Sequence, residues 1–270
     1  MAKLAVLAVH GIGVTGRGYS RRLETHLRRA LGQAVSGELC FVEINYQKHL
    51  QGNQEGLWER VRRGLRWALF RRFLLFYFGD AAAVLYNSRE LDSVYLKAQR
   101  SIYEAAAQAL DRLESPECPV VIIAQSLGCQ VVSSYLWDAA RNTGIWAPQH
   151  ASAFGTETRD REAFLKLATT RYLLTTGCNI PLIVSGLHRV VPIDRPNEQF
   201  RWLNFYDQDD VLGWPLKDLY SYEDTSARPE DVAVNVGNLL TSWNPLSHSA
   251  YWTSPSFMES AGRLLKDLLR

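Results

Sequence analysis

The chain has 270 residues, a length that favours one larger α/β or β domain over two domains in tandem. Hydrophobic residues make up 47% and charged residues 21% of the sequence, which excludes disordered and low-complexity chains. Thirty Lys and Arg against 28 Asp and Glu leave a formal charge of +2. Because this charge is small, we expect no nucleic-acid partner.

The cysteines and the apolar runs indicate the cellular compartment of the protein and its relation to membranes. None of the cysteines has the close pairing of a tetrahedral zinc site, so they predict buried or incidental thiols in a reducing compartment. The four are Cys40, Cys118, Cys129 and Cys178. The N-terminal apolar run ends at His10-Gly11 without a signal-peptide cleavage site. The aromatic run 73–79 is too short for a bilayer, which needs about 20 apolar residues. We expect a cytoplasmic protein, either soluble or membrane-peripheral.

Apolar runs alternate with helical patterns along the chain. Buried strands are predicted at 4–9, 39–45, 120–124, 171–176, 202–206 and 232–236. Helices are predicted over 19–31 and 256–269. This order predicts an α/β fold with a mostly parallel central sheet flanked by helices. Residues 1–270 are interpreted as one domain, in which residues about 50–114 form an inserted helical cap.

The third predicted strand runs straight into a serine and then into a helix-compatible pattern. The segment is Ala124-Gln125-Ser126-Leu127-Gly128. A serine on so sharp a turn needs small neighbours two residues before and after it, because strand and helix backbones come close there. Ala124 and Gly128 meet that need. The alternative is an ordinary strand-to-helix turn in which Ser126 caps the helix.

This segment resembles the nucleophile elbow of the α/β-hydrolase fold, although Ala124 stands where the family pattern has its first glycine. The segment Val9-His10-Gly11-Ile12-Gly13, at the end of the first strand, is similar to the family's oxyanion segment. The resemblance covers roughly residues 4–50 and 117–270. It implies that the backbone amides of Ile12 and Leu127 form an oxyanion hole.

The same resemblance implies a carboxylate after a later strand and a histidine before the last helix. Three aspartates, Asp207, Asp209 and Asp210, follow the fifth predicted strand. The family's acid precedes a small apolar pair, which matches Asp210, with the other two as alternatives. His248 occupies the slot of the family's histidine, and the order Ser126, Asp210, His248 is that of α/β-hydrolases. A solvated loop or, more weakly, a metal cluster is the competing interpretation of the aspartates.

The resemblance implies a serine esterase or lipase that needs no metal or organic cofactor. His248 would take the proton of Ser126, and Asp210 would orient the imidazole and stabilise its charged form. The reaction would be a two-step ester hydrolysis through an acyl-enzyme. Thioesterases and acyltransferases share this triad, so the motif does not choose among these substrates.

The predicted cap contains a basic amphipathic segment at 57–71 followed by an aromatic run at 73–78. Its apolar face spans about 120° of a helical wheel. That face consists of Leu57, Trp58, Val61, Leu65, Ala68 and Leu69. Residues 57–78 could lie on an anionic membrane surface or cover a pocket for a small hydrophobic ester. The alternative is that the face packs on the domain and the arginines are merely solvated.

Two other classes of protein compete with the hydrolase. Gly11, Gly13 and Gly16 fit the G-x-G-x-x-G pattern of a dinucleotide-binding domain, with Glu43 near the end of the next strand. The dinucleotide-binding interpretation does not account for Ser126 and His248. The second rival is a non-catalytic scaffold of hydrolase-like fold that binds a membrane or a partner. The sequence does not predict the oligomeric state.

Overall fold

The computed structural model describes most of the chain. The described residues are 1–11, 18–46, 49, 51–62, 71–72, 75, 79, 93–150, 158–236, 248 and 250–270. Three sequence predictions fall wholly or largely elsewhere. Outside the described residues lie Ile12, the motif glycines Gly13 and Gly16, and most of the segment 57–78.

Among the described residues, six strands form one parallel sheet in the order β2-β1-β3-β4-β5-β6. Their bounds are β1 Leu4–Val9, β2 Leu39–Ile44, β3 Val120–Gln125, β4 Thr170–Thr176, β5 Arg201–Tyr206 and β6 Pro229–Ala233. Because every pair is parallel, the carboxyl ends of all six strands meet at one edge of the sheet. Residues that follow β1, β3, β4 and β5 are thereby brought together.

Helices cover both faces of this sheet. Their bounds are α1 Arg21–Leu31, α2 Gln33–Ser36, α3 Gln51–Val61, α4 Val94–Leu110, α5 Leu127–Arg141, α6 Arg159–Leu165, α7 Ile180–Val184 and α8 Pro255–Leu268. One face packs against α1 and α8, and the other against α4 and α5. The predicted α/β class, with a parallel sheet between layers of helices, is confirmed.

The central strands β1 and β3 are buried along their whole length. Side chains of β1 alternate between the two cores. Leu4 and Val6 face α1 and α8, whereas Ala5 and Leu7 face α4 and α5. Strands covered on both faces need continuous apolar runs, and those runs made the two strands recognisable in the sequence. This buried centre holds the residues at its carboxyl edge in place.

The last strand was predicted three residues too late along the chain. It spans Pro229–Ala233 rather than 232–236. The amide of Val234 still donates to the Tyr206 carbonyl at 2.9 Å. The amide of Val236 donates instead to the Asp207 carboxylate at 2.7 Å, so the chain leaves the sheet there. Pro229, which has no amide hydrogen, is tolerated because β6 is an edge strand.

The predicted cap is described only in part. On α3, Trp58 is buried, whereas Leu57 and Val61 are 38% and 45% exposed. Of the predicted apolar face, therefore, only Trp58 is covered among these three residues. Within the part of the chain that the structure describes, no helix is both long and apolar enough to cross a membrane.

Candidate active site

Ser126 lies at the turn between β3 and α5 with φ 53° and ψ −126°. A positive φ is uncommon outside glycine, and such strained residues cluster at functional sites. The Ser126 amide donates to the Thr176 carbonyl at 3.0 Å, and the Ser126 carbonyl accepts the Cys129 amide at 2.9 Å. The side chain makes no capping hydrogen bond to the helix. The strained backbone is therefore held by its neighbours, and the hydroxyl is left for another role.

The end of β1 packs directly on this turn, and two glycines make the approach possible. A Cβ on Gly128 would lie 2.8 Å from the carbonyl oxygens of Val9 and His10. A Cβ on Gly11 would overlap the Cβ of Ser126 and lie 3.0 Å from its Oγ. Only glycine fits at either position without moving the backbone.

Replacing Gly11 with alanine is expected to destabilise the protein by about 1 to 3 kcal/mol, the usual cost of forcing extra volume into a packed site. Chemical denaturation measures this loss. The control is Gly37→Ala, because a Cβ there would meet no atom within 4 Å and the backbone φ is −70°. Equal stability of the two variants would contradict the close packing of β1 on the serine turn.

His248 and Asp210, 38 residues apart in the chain, form a partly buried pair. His248 Nδ1 lies 2.8 Å from Asp210 Oδ2. The side chain of Asp210 is 1% exposed and that of His248 is 12% exposed. Two further donors reach the carboxylate: the Leu212 amide at 3.0 Å and the Tyr251 hydroxyl at 2.9 Å.

The hydrogen bonds of Asp210 keep it charged. Burial alone would raise its pKa, but the hydrogen bond and charge of His248, with the Leu212 amide and the Tyr251 hydroxyl, bring the pKa below its ordinary value of 3.8. A carboxylate can only accept, so Nδ1 of His248 carries a proton. In the neutral ring, Nε2 is then the proton acceptor.

The other two aspartates have different surroundings. Asp207 accepts the amides of Asp209 at 2.9 Å and Val236 at 2.7 Å, and so joins two loops. Asp209 is exposed. Of the three, Asp210 is the one that contacts His248. Among the residues described by the structure, no three His, Cys, Asp or Glu side chains are gathered as a metal site would need.

Two residues that the sequence analysis did not single out place His248. The side-chain amide of Gln125 donates to the His248 carbonyl at 2.7 Å. Gly177, at φ 52°, lies so close to the imidazole that a Cβ would be 3.0 Å from its Cε1. Gln125 directly precedes Ser126, and Gly177 directly follows β4, the strand beside β3. The imidazole therefore lies at the carboxyl edge of the sheet beside the serine turn.

Ser126 Oγ and His248 Nε2 are both buried, and neither has a hydrogen-bond partner among the described residues. An unsatisfied buried polar atom costs free energy, so such atoms are rare in folded proteins. These two are complementary, because a hydroxyl donates and the free imidazole nitrogen accepts. Hydrogen bonds of this kind are often long in the absence of substrate and shorten when it binds.

His10 packs against two aromatic rings near the serine turn, and we assign it no role in proton transfer. Its ring meets the rings of Tyr19 and Trp252 edge to face, at centroid distances of 5.2 and 5.8 Å. Burial lowers its pKa, and the nearby His248 lowers it further, whereas a hydrogen bond with the Gly11 carbonyl acts in the opposite direction. His10 is thus neutral at pH 7 and fixes the end of β1.

One of the two predicted oxyanion-hole residues is described. Leu127 is fully buried and is the first residue of α5. The first amides of a helix have no acceptor within the helix and lie at its positive end, so they favour negative charge. The position of Ile12, outside the described residues, stays a prediction.

The hypothesis of a dinucleotide-binding domain requires Glu43 and the glycine loop to face a ligand. Glu43 instead accepts hydrogen bonds from the Gly18 amide at 2.9 Å and the Ser20 hydroxyl at 2.6 Å. It thereby holds the chain just before α1, which begins only at Arg21. The first glycine of the motif, Gly11, approaches the serine turn.

The parallel sheet covered on both faces, with Ser126 at a strained strand-to-helix turn, is the arrangement that the resemblance to the α/β-hydrolase fold predicts. No protein-family model matches this chain, and no curated protein matches it. Among solved structures, it is similar to a dienelactone hydrolase from Anabaena variabilis. The two are 17% identical, the match covers 99% of this chain and 86% of that one, and the TM-score is 0.41.

Proposed function

We propose that the protein is a serine hydrolase that acts on carboxylic esters. Ser126 is the nucleophile, His248 the general base, and Asp210 the residue that orients the base. One observation carries the proposal: a partly buried 2.8 Å hydrogen bond links His248 to Asp210, while Nε2 of the same ring and the Ser126 hydroxyl lack partners among the described residues. A serine nucleophile with an oriented histidine base accounts for this combination.

The reaction proceeds in two steps through an acyl-enzyme. His248 Nε2 takes the proton of Ser126 as Oγ attacks the ester carbonyl carbon. When the tetrahedral intermediate collapses, Nε2 returns that proton to the departing alkoxide, and the alcohol leaves. Water then attacks the acyl-enzyme with the same base, releasing the carboxylic acid and restoring the serine. Asp210 stays ionised throughout and stabilises the imidazolium.

The negative charge on the intermediate's oxygen needs donors that are already in place. The amide of Leu127, at the N-terminus of α5, serves as one donor in this proposal, and that of Ile12 as the other. Such preorganised donors act where charge develops, and losing one typically lowers the rate by about 100- to 1,000-fold.

A groove of about 340 Å³ lies beside α5, and Ser126, Asp210 and His248 are not among the residues that line it. Its apolar walls include Trp137, Ile180, Val184, Leu187, Val190, Val191, Pro192 and Ile193. Gln130, which also lines it, lies about 6 Å beyond Ser126 along the helix axis. Ile180 follows Gly177, the neighbour of His248, by three residues. We assign the groove to the acyl chain, with residues 57–78 as a cap or a peripheral membrane contact.

Filling the groove tests this assignment. Val184→Trp is expected to raise KM for long-chain esters about tenfold or more while leaving acetate esters unchanged, because a few methylene groups are worth that much in an apolar pocket. Steady-state kinetics on p-nitrophenyl esters of increasing length measure the effect. The control is Leu182→Trp on the same helix, since Leu182 is 38% exposed and does not line the groove. If both variants changed KM to the same extent, the acyl chain would have to bind elsewhere.

The proposed activity itself is tested with the same series of esters, from acetate to palmitate. We expect release of the alcohol with an initial burst wherever hydrolysis of the acyl-enzyme is the slow step. His248→Ala provides the background rate. If no ester is hydrolysed faster by the protein than by this variant, while the protein binds anionic liposomes, the non-catalytic scaffold replaces the hydrolase.

A further inference from the structure

Tyr251 is fully buried and reaches the same oxygen of Asp210 that His248 contacts. Its hydroxyl donates to Asp210 Oδ2 at 2.9 Å, and His248 Nδ1 lies 2.8 Å from that oxygen. The amide of Asp207 donates to the Tyr251 oxygen at 3.0 Å. That amide occupies the acceptor side of the hydroxyl and directs its proton toward Asp210.

We propose that Tyr251 is a positioning residue that, by donating to Asp210, limits how strongly this carboxylate holds a proton on His248. The inference rests on the proposed function for its catalytic meaning, although its geometry does not. A hydrogen bond to an ionised group is among the stronger ones in proteins. By sharing the charge of Oδ2, the Tyr251 hydroxyl weakens the attraction between carboxylate and imidazolium. Loss of that hydroxyl would therefore strengthen this attraction.

In the described part of the chain, the following charged and titratable groups face the pair of His248 and Asp210. Asp210 faces His248 from the loop after β5, and His10 faces it from the end of β1. Tyr251 faces Asp210 and Asp207. Burial, together with the charge of Asp210, raises the pKa of Tyr251, so its hydroxyl stays protonated and remains a donor.

The test is the pH titration of the His248 ring, followed by NMR of the full-length protein labelled with 15N-histidine. The signal is assigned by its absence in His248→Asn. In Tyr251→Phe, the midpoint of this titration is expected to move to higher pH, because the carboxylate loses a donor and binds the imidazolium more tightly. An unchanged or lowered midpoint would overturn the proposal.

A matched variant separates this effect from a general loss of stability. Tyr135 is also fully buried, and its hydroxyl donates to the Leu165 carbonyl at 2.6 Å, away from the candidate site. Tyr135→Phe should lower the stability but leave the His248 midpoint unchanged. An equal midpoint shift in both variants would show that Tyr251 acts only through the fold.

A second substitution keeps the aromatic ring and the hydroxyl oxygen that accepts the Asp207 amide. Site-specific 3-fluorotyrosine at position 251 has a more acidic hydroxyl and hence a stronger donor, so the midpoint is expected to move to lower pH. A shift of the midpoint to higher pH, the direction expected for Tyr251→Phe, would overturn the proposal. This outcome does not depend on how well Tyr251→Phe folds.

The pH profile of Ser126 labelling by a fluorophosphonate extends the test to catalysis. At a fixed pH on its acidic limb, Tyr251→Phe is expected to label about tenfold more slowly than the wild type. Absence of labelling in the wild type would contradict the proposed function alone, since the NMR titration does not need an active enzyme.

Discussion

Replacing Ser126 with alanine is expected to lower kcat/KM for an activated ester by about four to six orders of magnitude. The loss is so large because the covalent step has no other nucleophile, and only the residual effect of binding and of the oxyanion donors remains. Steady-state kinetics with p-nitrophenyl butyrate measure it. Retention of a tenth of the wild-type activity would remove Ser126 from the mechanism.

The control for this variant is another hydroxyl that is buried and has no hydrogen-bond partner among the described residues. Thr169 Oγ1 meets that description, and Thr169 directly precedes β4, at the edge of the sheet opposite Ser126. Thr169→Val should keep the wild-type rate within about threefold, because surface and structural substitutions away from a site rarely change transition-state binding.

Asp210→Asn is expected to lower kcat by about 10⁴-fold while leaving KM nearly unchanged. An amide in this position no longer holds the proton on Nδ1 of His248, and it cannot stabilise the imidazolium that forms during attack. Chemical denaturation measures the folded fraction, and kinetics at saturating ester then separate this loss from a smaller fraction of folded protein.

The neighbouring aspartates provide the comparison for Asp210. Asp209→Asn should remain within about threefold of the wild type, because its side chain is exposed. Asp207→Asn should mainly reduce stability, since Asp207 accepts the amides of Asp209 and Val236. A larger loss of kcat in Asp209→Asn than in Asp210→Asn would mean that the loop adopts a different arrangement during catalysis.

The sheet could be predicted from the sequence where local composition dominates. β1 and β3 are buried on both faces, so each needs an unbroken apolar run that is visible without any other information. The bounds of β6 could not be predicted in this way. That strand ends where the Asp207 carboxylate captures the Val236 amide, a contact across 29 residues with no local sequence signature.

The candidate site shows the same division between local and distant contacts. The strand–serine–helix order around Ser126 was visible, but which aspartate faces His248 was open until the fold brought Asp210 to its ring. Gln125 and Tyr251 carried no signal of their own. They act on His248 and Asp210 across 123 and 41 residues, and neither spacing belongs to a recurrent motif.

Covalent labelling of the purified protein with a fluorophosphonate tests the central claim most directly. Intact mass and peptide mapping are compared for the wild type, Ser126→Ala and Asp210→Asn. We predict a single adduct on Ser126 in the wild type, none in Ser126→Ala, and slow formation in Asp210→Asn. No adduct on the wild type, or an adduct that persists in Ser126→Ala, would contradict the assignment of Ser126 as an activated nucleophile.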